Sequence, residues 1–303
     1  IMRRRRTPRS IPPSPQRRVS MVRATAITAT SVLFLFVLTA TATSCNQPES
    51  PSRDLVFSSW PILGGTPDLS QAHMGVVFLE LAGEHGGWYC SGTLITPTVV
   101  LTAAHCAQGI VPENCTIYFG PSWGNFESRK ADQAIVHPDY DNQTFVNDIA
   151  MLLLQTAAPE GIDPIPHLPA DLAVTNEDIG TDLEFVGFGR DENDEIGRKL
   201  KVFLPFQWLC TDPEGCLVGP GYHAANKTIC YGQGDEGGIC SGDSGGPAFI
   251  DREGQEYVAG VTSYGGGGCT YYGCSTKVDA FHSFIEDVVG STKVLGQSCT
   301  RSS

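Results

Sequence analysis

Gly242-Asp243-Ser244-Gly245-Gly246-Pro247 is the stretch on which the fold of this chain turns. It packs one hydroxyl among three glycines. Glycine lets the backbone turn sharply and lets a carbonyl group approach closely. It also leaves the N–H groups of Gly242 and Ser244 able to point at a developing oxyanion. Taken alone, a glycine-rich turn with a serine is usually only a turn, so its meaning depends on what accompanies it.

Upstream, Leu101-Thr102-Ala103-Ala104-His105-Cys106 supplies an imidazole after a short apolar run. A serine hydroxyl is a poor nucleophile until a base takes its proton, and histidine has the pKa for that task near neutrality. Between the two, Asn147-Asp148-Ile149-Ala150-Met151-Leu152-Leu153 sends a single acid into a strongly apolar strand. A buried carboxylate is costly unless paired. An imidazole N–H is the natural partner, and the pairing would fix the histidine tautomer. In isolation His105 could be a core histidine and Asp148 a strand cap. With Ser244 they make a nucleophile, a base and an orienting acid.

The rest of the chain suits short strands joined by tight turns. Of 303 residues 41% are hydrophobic, enough to bury a substantial core, and 34 Gly and 20 Pro punctuate the apolar runs. Residues 76–81, 99–101, 149–154, 184–186 and 258–261 read as strands. Helical periodicity is convincing only near the end. There Phe281, Phe284, Ile285, Val288 and Val289 share a face, with Asp279 placed to cap the helix and Gly290 to stop it. The net charge is −13, but eight of the 20 basic residues and no acid lie in 1–44. The remainder therefore sets 12 basic against 33 acidic side chains. So acidic a surface favours solubility and argues against nucleic acid as a partner.

The three motifs resemble those of the trypsin/chymotrypsin family of serine endopeptidases, and the resemblance spans about Ile62–Val289. Their chain order, His then Asp then Ser, separates this family from subtilisins and α/β-hydrolases. The resemblance implies an all-β chain. Its two antiparallel six-stranded β-barrels would meet near residues 165–177, with the triad in the cleft between them and a C-terminal helix behind. It implies hydrolysis of polypeptide substrates through an acyl-enzyme, with no cofactor and no metal. Ser244 would attack, His105 would serve as base and then acid, and Asp148 would orient His105. Gly242 and Ser244 would form the oxyanion hole. Ser263-Tyr264-Gly265 matches the family segment that pairs with an extended substrate.

Two features depart from trypsin itself. Where trypsin-like relatives carry an acid six positions before the nucleophile, this chain has Gly238, followed by Ile239. Gly265 and Gly273 match the pocket walls. The expected preference is for small or medium apolar side chains, although Asp235 and Glu236 are close enough in sequence to reach the pocket. Second, Ile62-Leu63-Gly64-Gly65 matches the segment whose freed amine pairs with the acid before the nucleophile, here Asp243. Pro61 stands where relatives have Arg or Lys, so an activating protease of trypsin type cannot be assumed. Two other classes stay open: a catalytically silent protease-fold binding protein, and an esterase. The first usually lacks a triad residue or the oxyanion turn. The second would place His and Asp after the serine.

Eleven cysteines in an exported chain suggest disulfides. The family pattern pairs Cys90 with Cys106, Cys210 with Cys230, and Cys240 with Cys269. Family loop proximity would join Cys216 to Cys274, leaving Cys115 and Cys299 as the remainder. Residues 1–44 read as a targeting segment whose apolar run, Val32 to Leu38, is too short to span a membrane. Ala42-Thr43-Ser44-Cys45 resembles a bacterial lipobox, which would anchor the chain to a membrane through lipid on Cys45. Ordinary cleavage near Ala42 is the alternative. The implied location is secreted or attached to the cell envelope, in an exported bacterial protein. Residues 45–61 read as a linker or propeptide, 62–290 as the protease domain and 291–303 as a tail. Asn114, Asn142 and Asn226 lie in glycosylation-like triplets.

Overall fold

The structure is a computed structural model that describes Ile62 and residues 65–122, 124–190, 195–219, 221–234, 237–266 and 269–299, the last seven by backbone alone. The targeting segment, the linker with Cys45 and Pro61, the tail beyond 299, and Asp235 and Glu236 lie outside the described residues.

A short strand β1 (Thr66–Pro67) precedes a closed six-stranded barrel of β2 (Val76–Gly83), β3 (Gly86–Thr96), β4 (Val99–Thr102), β5 (Thr116–Phe119), β6 (Glu127–Val136) and β7 (Ala150–Leu154). The ladder runs β2-β3-β4-β7-β6-β5, every pairing antiparallel. Strand β4 is buried at every position, because it lies between β3 and β7 and also carries the chain into the site. Phe78, Leu94, Leu101, Ile117 and Leu152 fill the interior. Strands rich in Val, Ile and Phe fit such a pleated, closed surface.

The second barrel uses β8 (Asp182–Gly187), β9 (Leu200–Cys210), β12 (Thr228–Gly232), β13 (Pro247–Arg252), β14 (Gln255–Gly266) and β15 (Tyr272–Lys277). Its order is β9-β12-β15-β14-β13-β8, and β8 pairs back onto β9 to close it. Leu183, Phe185, Phe206, Ile229 and Tyr231 form its core. A small hairpin of β10 (Cys216–Val218) and β11 (Tyr222–Ala224) stands apart. The segment between β7 and β8 contains residues 165–177, where the sequence set the junction. This is the two-barrel architecture expected from the sequence.

The C-terminal helix differs in its ends. Helix α2 (His282–Cys299) runs through Gly290, and Asp279 lies in a preceding 3-10 turn. A glycine ends a helix by adopting the left-handed region. Gly290 does not, since it is not among the glycines of positive φ. Ser291 and Thr292 donate their hydroxyls back to Val288 O and Val289 O. Asp279 instead accepts from Val174 N and pairs with Lys277. The helix thus enters the stretch read as a tail.

Among the described residues four disulfides are formed, and two of them correct the family pattern. Cys90–Cys106 and Cys240–Cys269 pair as expected. Cys230 pairs with Cys274 rather than Cys210, because the two are directly opposed in the β12–β15 ladder. Cys210 ends β9 and Cys216 opens β10, so a short turn brings these neighbours together, with Cα atoms 5.2 Å apart. Cys115 is a buried free thiol between Ala82 and Val111, not half of a bridge to Cys299. Burial pushes its pKa up.

The chain just after Ile62 is pinned to the second barrel by buried charge. His73 lies between Asp68 (2.7 Å) and Glu256 (3.1 Å), and Lys199 Nζ donates to His73 O. Burial opposes charge on His73, but the two carboxylates outweigh it and raise its pKa to about 9. This anchors the residues that lead away from Ile62.

Candidate active site

Strand β4 ends at Thr102 and the chain turns at once into the four-residue helix α1 (Ala104–Ala107). The Cys90–Cys106 bridge staples that turn to β3. His105 stands on it with a side chain 24% exposed, while Asp148, just before β7, is fully buried. Asp148 Oδ1 accepts from His105 N at 2.8 Å, and Oδ2 faces His105 Nδ1 at 2.7 Å. An Nδ1–H donated to a carboxylate leaves Nε2 as the free base. Ser263 Oγ donates to the same Oδ2, and Thr276 Oγ1 donates to Asp148 O at 2.8 Å. The buried carboxyl of Asp148 is thus met by the backbone N–H and ring of His105 and by the Ser263 hydroxyl. Ser263 was expected only for its backbone; its hydroxyl is a contact the sequence did not reveal.

The nucleophile loop lies against this turn. Cys106 Sγ is 3.7 Å from both His105 Nε2 and Ser244 O. Ser91 N donates to Ser244 O at 2.8 Å, Ser91 Oγ donates to Gly242 O at 2.9 Å, and Phe188 N donates to Ser91 Oγ at 3.0 Å. Ser91, on β3, thus stitches the loop to the first barrel, a role with no motif to announce it. Gly242 has φ 100° and Gly245 φ 82°. A Cβ on Gly242 would sit 2.9 Å from Gly189 Cα, and one on Gly245 would strike Thr102 and Ser91. Both positions therefore require glycine.

Some backbone donors of the loop are used and others are not. Asp243 N donates to Cys240 O and Gly245 N to Thr262 O. The N–H groups of Gly242 and Ser244 have no acceptor among the described residues. They form the pair of unused donors that an oxyanion would need. Ser244 Oγ makes no hydrogen bond to His105 Nε2 among the described residues; such contacts are often loose until substrate arrives.

Beside Ser244 lies a cleft of about 330 Å³ lined by Ile239, Cys240, Ser241 and Thr262 to Gly265, with Cys269. Of the residues expected to bind substrate, Ile239, Ser263, Tyr264 and Gly265 line it. Gly238 and Gly273 do not. A Cβ on Gly238 would meet the Gln233 side chain, and one on Gly273 would strike the Tyr231 ring and Gln233 Oε1, so the missing Cβ atoms make room for those side chains. Gln233 is 5% exposed, and its Oε1 accepts from Ile239 N at 2.8 Å. It was missed because a glutamine at a strand end carries no signal of its own. Phe145 stands edge-on to His105 at 5.8 Å and 5.3 Å from Tyr264.

Asp243 is 2% exposed. Its carboxylate accepts from Gly189 N and Cys240 N, each at 2.8 Å, and no cation reaches it among the described residues. Burial pushes its pKa up to about 7 despite those two donors. Ile62 is fully buried, with φ 46°.

Comparison with known proteins agrees with this geometry. A family profile described as Trypsin matches residues 62–285. Serine protease 56 of Mus musculus is 33% identical over 75% of this chain, and the chain spans only 38% of that relative's length. A vitellin-degrading protease of Bombyx mori is 28% identical over 87% of the chain and 96% of its own length. A trypsin of Saccharopolyspora erythraea is 29% identical over 68% of the chain and 87% of its own length. These relatives are mostly animal proteins, so the expected bacterial source gains no support from them. A solved structure of HL collagenase at 1.7 Å superposes with a TM-score of 0.64 at 21% identity, covering 76% of this chain and 99% of its own, which shows the fold.

Proposed function

The chain belongs to the trypsin family of serine proteases, and from that premise we propose that it is an active endopeptidase whose triad is His105, Asp148 and Ser244. The observation that carries this reading is the buried Asp148 carboxylate, which holds both the backbone and Nδ1 of His105. The unused N–H pair of Gly242 and Ser244 supports it. Ser244 attacks the scissile carbonyl, His105 takes its proton, and the acyl-enzyme is released by water. The protease domain on this reading begins at Ile62. A fluorophosphonate probe should label the mature protein and fail to label Ser244→Ala. An unlabelled wild type that still binds peptides would favour a silent binding protein.

Specificity on this reading is for small or medium apolar residues before the cleaved bond. Ile239 narrows the cleft, and no acid lines it among the described residues. Burying an unpaired Lys or Arg cation there is costly. Peptide-library profiling should return Ala, Val, Leu or Met. A profile led by Arg and Lys would refute this.

Activation on this reading frees the Ile62 amine to pair with Asp243. Support comes from the burial of both residues and from an Asp243 carboxyl left without a counter-charge. A pKa raised from 3.8 to about 7 means that the folded chain keeps a proton the unfolded chain has lost. The uncleaved chain should therefore lose stability as pH rises between those values. Asp243→Asn should abolish that component, and should remove most activity from the cleaved enzyme. Thermal melts of the uncleaved protein across pH, with amino-terminal sequencing of active protein, check both. Full activity in a chain still joined through Pro61 would exclude the mechanism.

The four disulfides fit an extracytoplasmic location. Attachment through Cys45 rests on the Ala42–Cys45 string, and mass analysis of the mature terminus separates a lipid-modified Cys45 from simple cleavage.

A further inference from the structure

The protease reading leaves one pair of imidazoles unused. His167 lies in the segment between the barrels, where it bridges to Val258. Its ring is 5.4 Å from that of His282, tilted by 33°. His282 opens α2, and Glu286 follows four residues later, which sets both on one helical face. One ligand atom from each of the three lies within 4.8 Å of the others. His167 Nε2 and His282 Nδ1 are both buried and have no hydrogen-bond partner. His167 Nε2 is 3.4 Å from Glu286 Oε1 without being hydrogen-bonded to it. Buried polar atoms without partners are uncommon, and an ion is one of the few explanations for two on neighbouring imidazole rings.

We infer that His167, His282 and Glu286 bind a divalent transition-metal ion of the zinc class. Two imidazole nitrogens and a carboxylate suit zinc, whereas calcium and magnesium take oxygen. Bonds of about 2.0–2.1 Å at a tetrahedral angle hold ligand atoms about 3.3–3.4 Å apart. The His167–Glu286 spacing is 3.4 Å. Glu286 has a side chain 49% exposed, which leaves the fourth position to water. The ion ties the segment between the barrels to the C-terminal helix, closing a loop of more than a hundred residues, and so stabilises the docking of α2. The His73 cluster gives the contrast. There Glu184 and Glu256 also converge on an imidazole, but His73 is satisfied by Asp68 and Glu256, and Glu184 by Lys201. Nothing there calls for an ion.

The test uses the Ser244→Ala protein, stripped with chelator, so that self-cleavage plays no part and the outcome is independent of the catalytic assignment. Zinc chloride is titrated by calorimetry, thermal unfolding is followed with and without zinc, and the visible absorption of the Co²⁺ form reports coordination. One equivalent should bind and raise the unfolding temperature. His282→Ala, and separately Glu286→Ala on the exposed helix face, should weaken binding at least about tenfold. His73→Ala should leave it unchanged. Absence of uptake overturns the inference, as does uptake that survives both His282→Ala and Glu286→Ala or that depends on His73.

Discussion

Replacing Ser244 by alanine is expected to lower peptide hydrolysis by a factor of about 10⁴–10⁶, with little change in folding. The hydroxyl forms no hydrogen bond among the described residues, so its loss orphans no partner. The loop's conformation is held elsewhere, by Ser91 N on Ser244 O, Ser91 Oγ on Gly242 O and Gly245 N on Thr262 O. The variant should therefore melt within a few degrees of the wild type and still bind peptide. His105→Ala should cost nearly as much, and the double variant little more than either, because nucleophile and base act as one unit. Steady-state turnover of a peptide substrate, measured on protein with a verified amino terminus, decides the matter. Retention of more than a tenth of wild-type activity in Ser244→Ala would remove Ser244 from the mechanism.

Asp148→Asn is expected to lower turnover by about 10⁴ while leaving substrate affinity and fold largely intact. The carboxylate accepts from His105 N, His105 Nδ1 and Ser263 Oγ at once. An amide has one oxygen and one NH₂ group. Turned to accept from the backbone N–H, it would present the NH₂ group to Nδ1. The imidazole would then carry its proton on Nε2, where the base must be free. The side chain stays buried and partly hydrogen-bonded, which is why the fold should survive. Ser263→Ala removes only one donor to the carboxylate and should cost much less, about one to two powers of ten. NMR of the imidazole N–H protons, alongside turnover, separates a tautomer change from misfolding. Equal losses in Asp148→Asn and Ser263→Ala would mean that Asp148 does not act by orienting His105.

What the sequence by itself determined was the class of fold and the family, and with them the chemistry proposed for the site. The strings around His105, Asp148 and Ser244 are ambiguous one by one, but together and in that order they resemble the trypsin/chymotrypsin family, and that resemblance implied the two barrels. Local strings cannot say which distant residues meet, and there the tertiary structure decided. Cys230 pairs with Cys274 because strand register opposes them, and register depends on the whole ladder. Gly238 and Gly273 were legible as missing side chains, but only packing revealed that Gln233 and Tyr231 fill the space. Ser91 and Ser263 are ordinary serines until the barrels close and bring their hydroxyls to the nucleophile loop and to Asp148. Helix α2 passes Gly290 because a glycine permits a left-handed stop without imposing one. His167 and His282 lie more than a hundred residues apart in sequence, and they meet because the helix packs back on the segment between the barrels. Short-range residue patterns encode chemistry through side-chain type and spacing. Contacts across the chain are set by burial and strand pairing, which are properties of the closed structure.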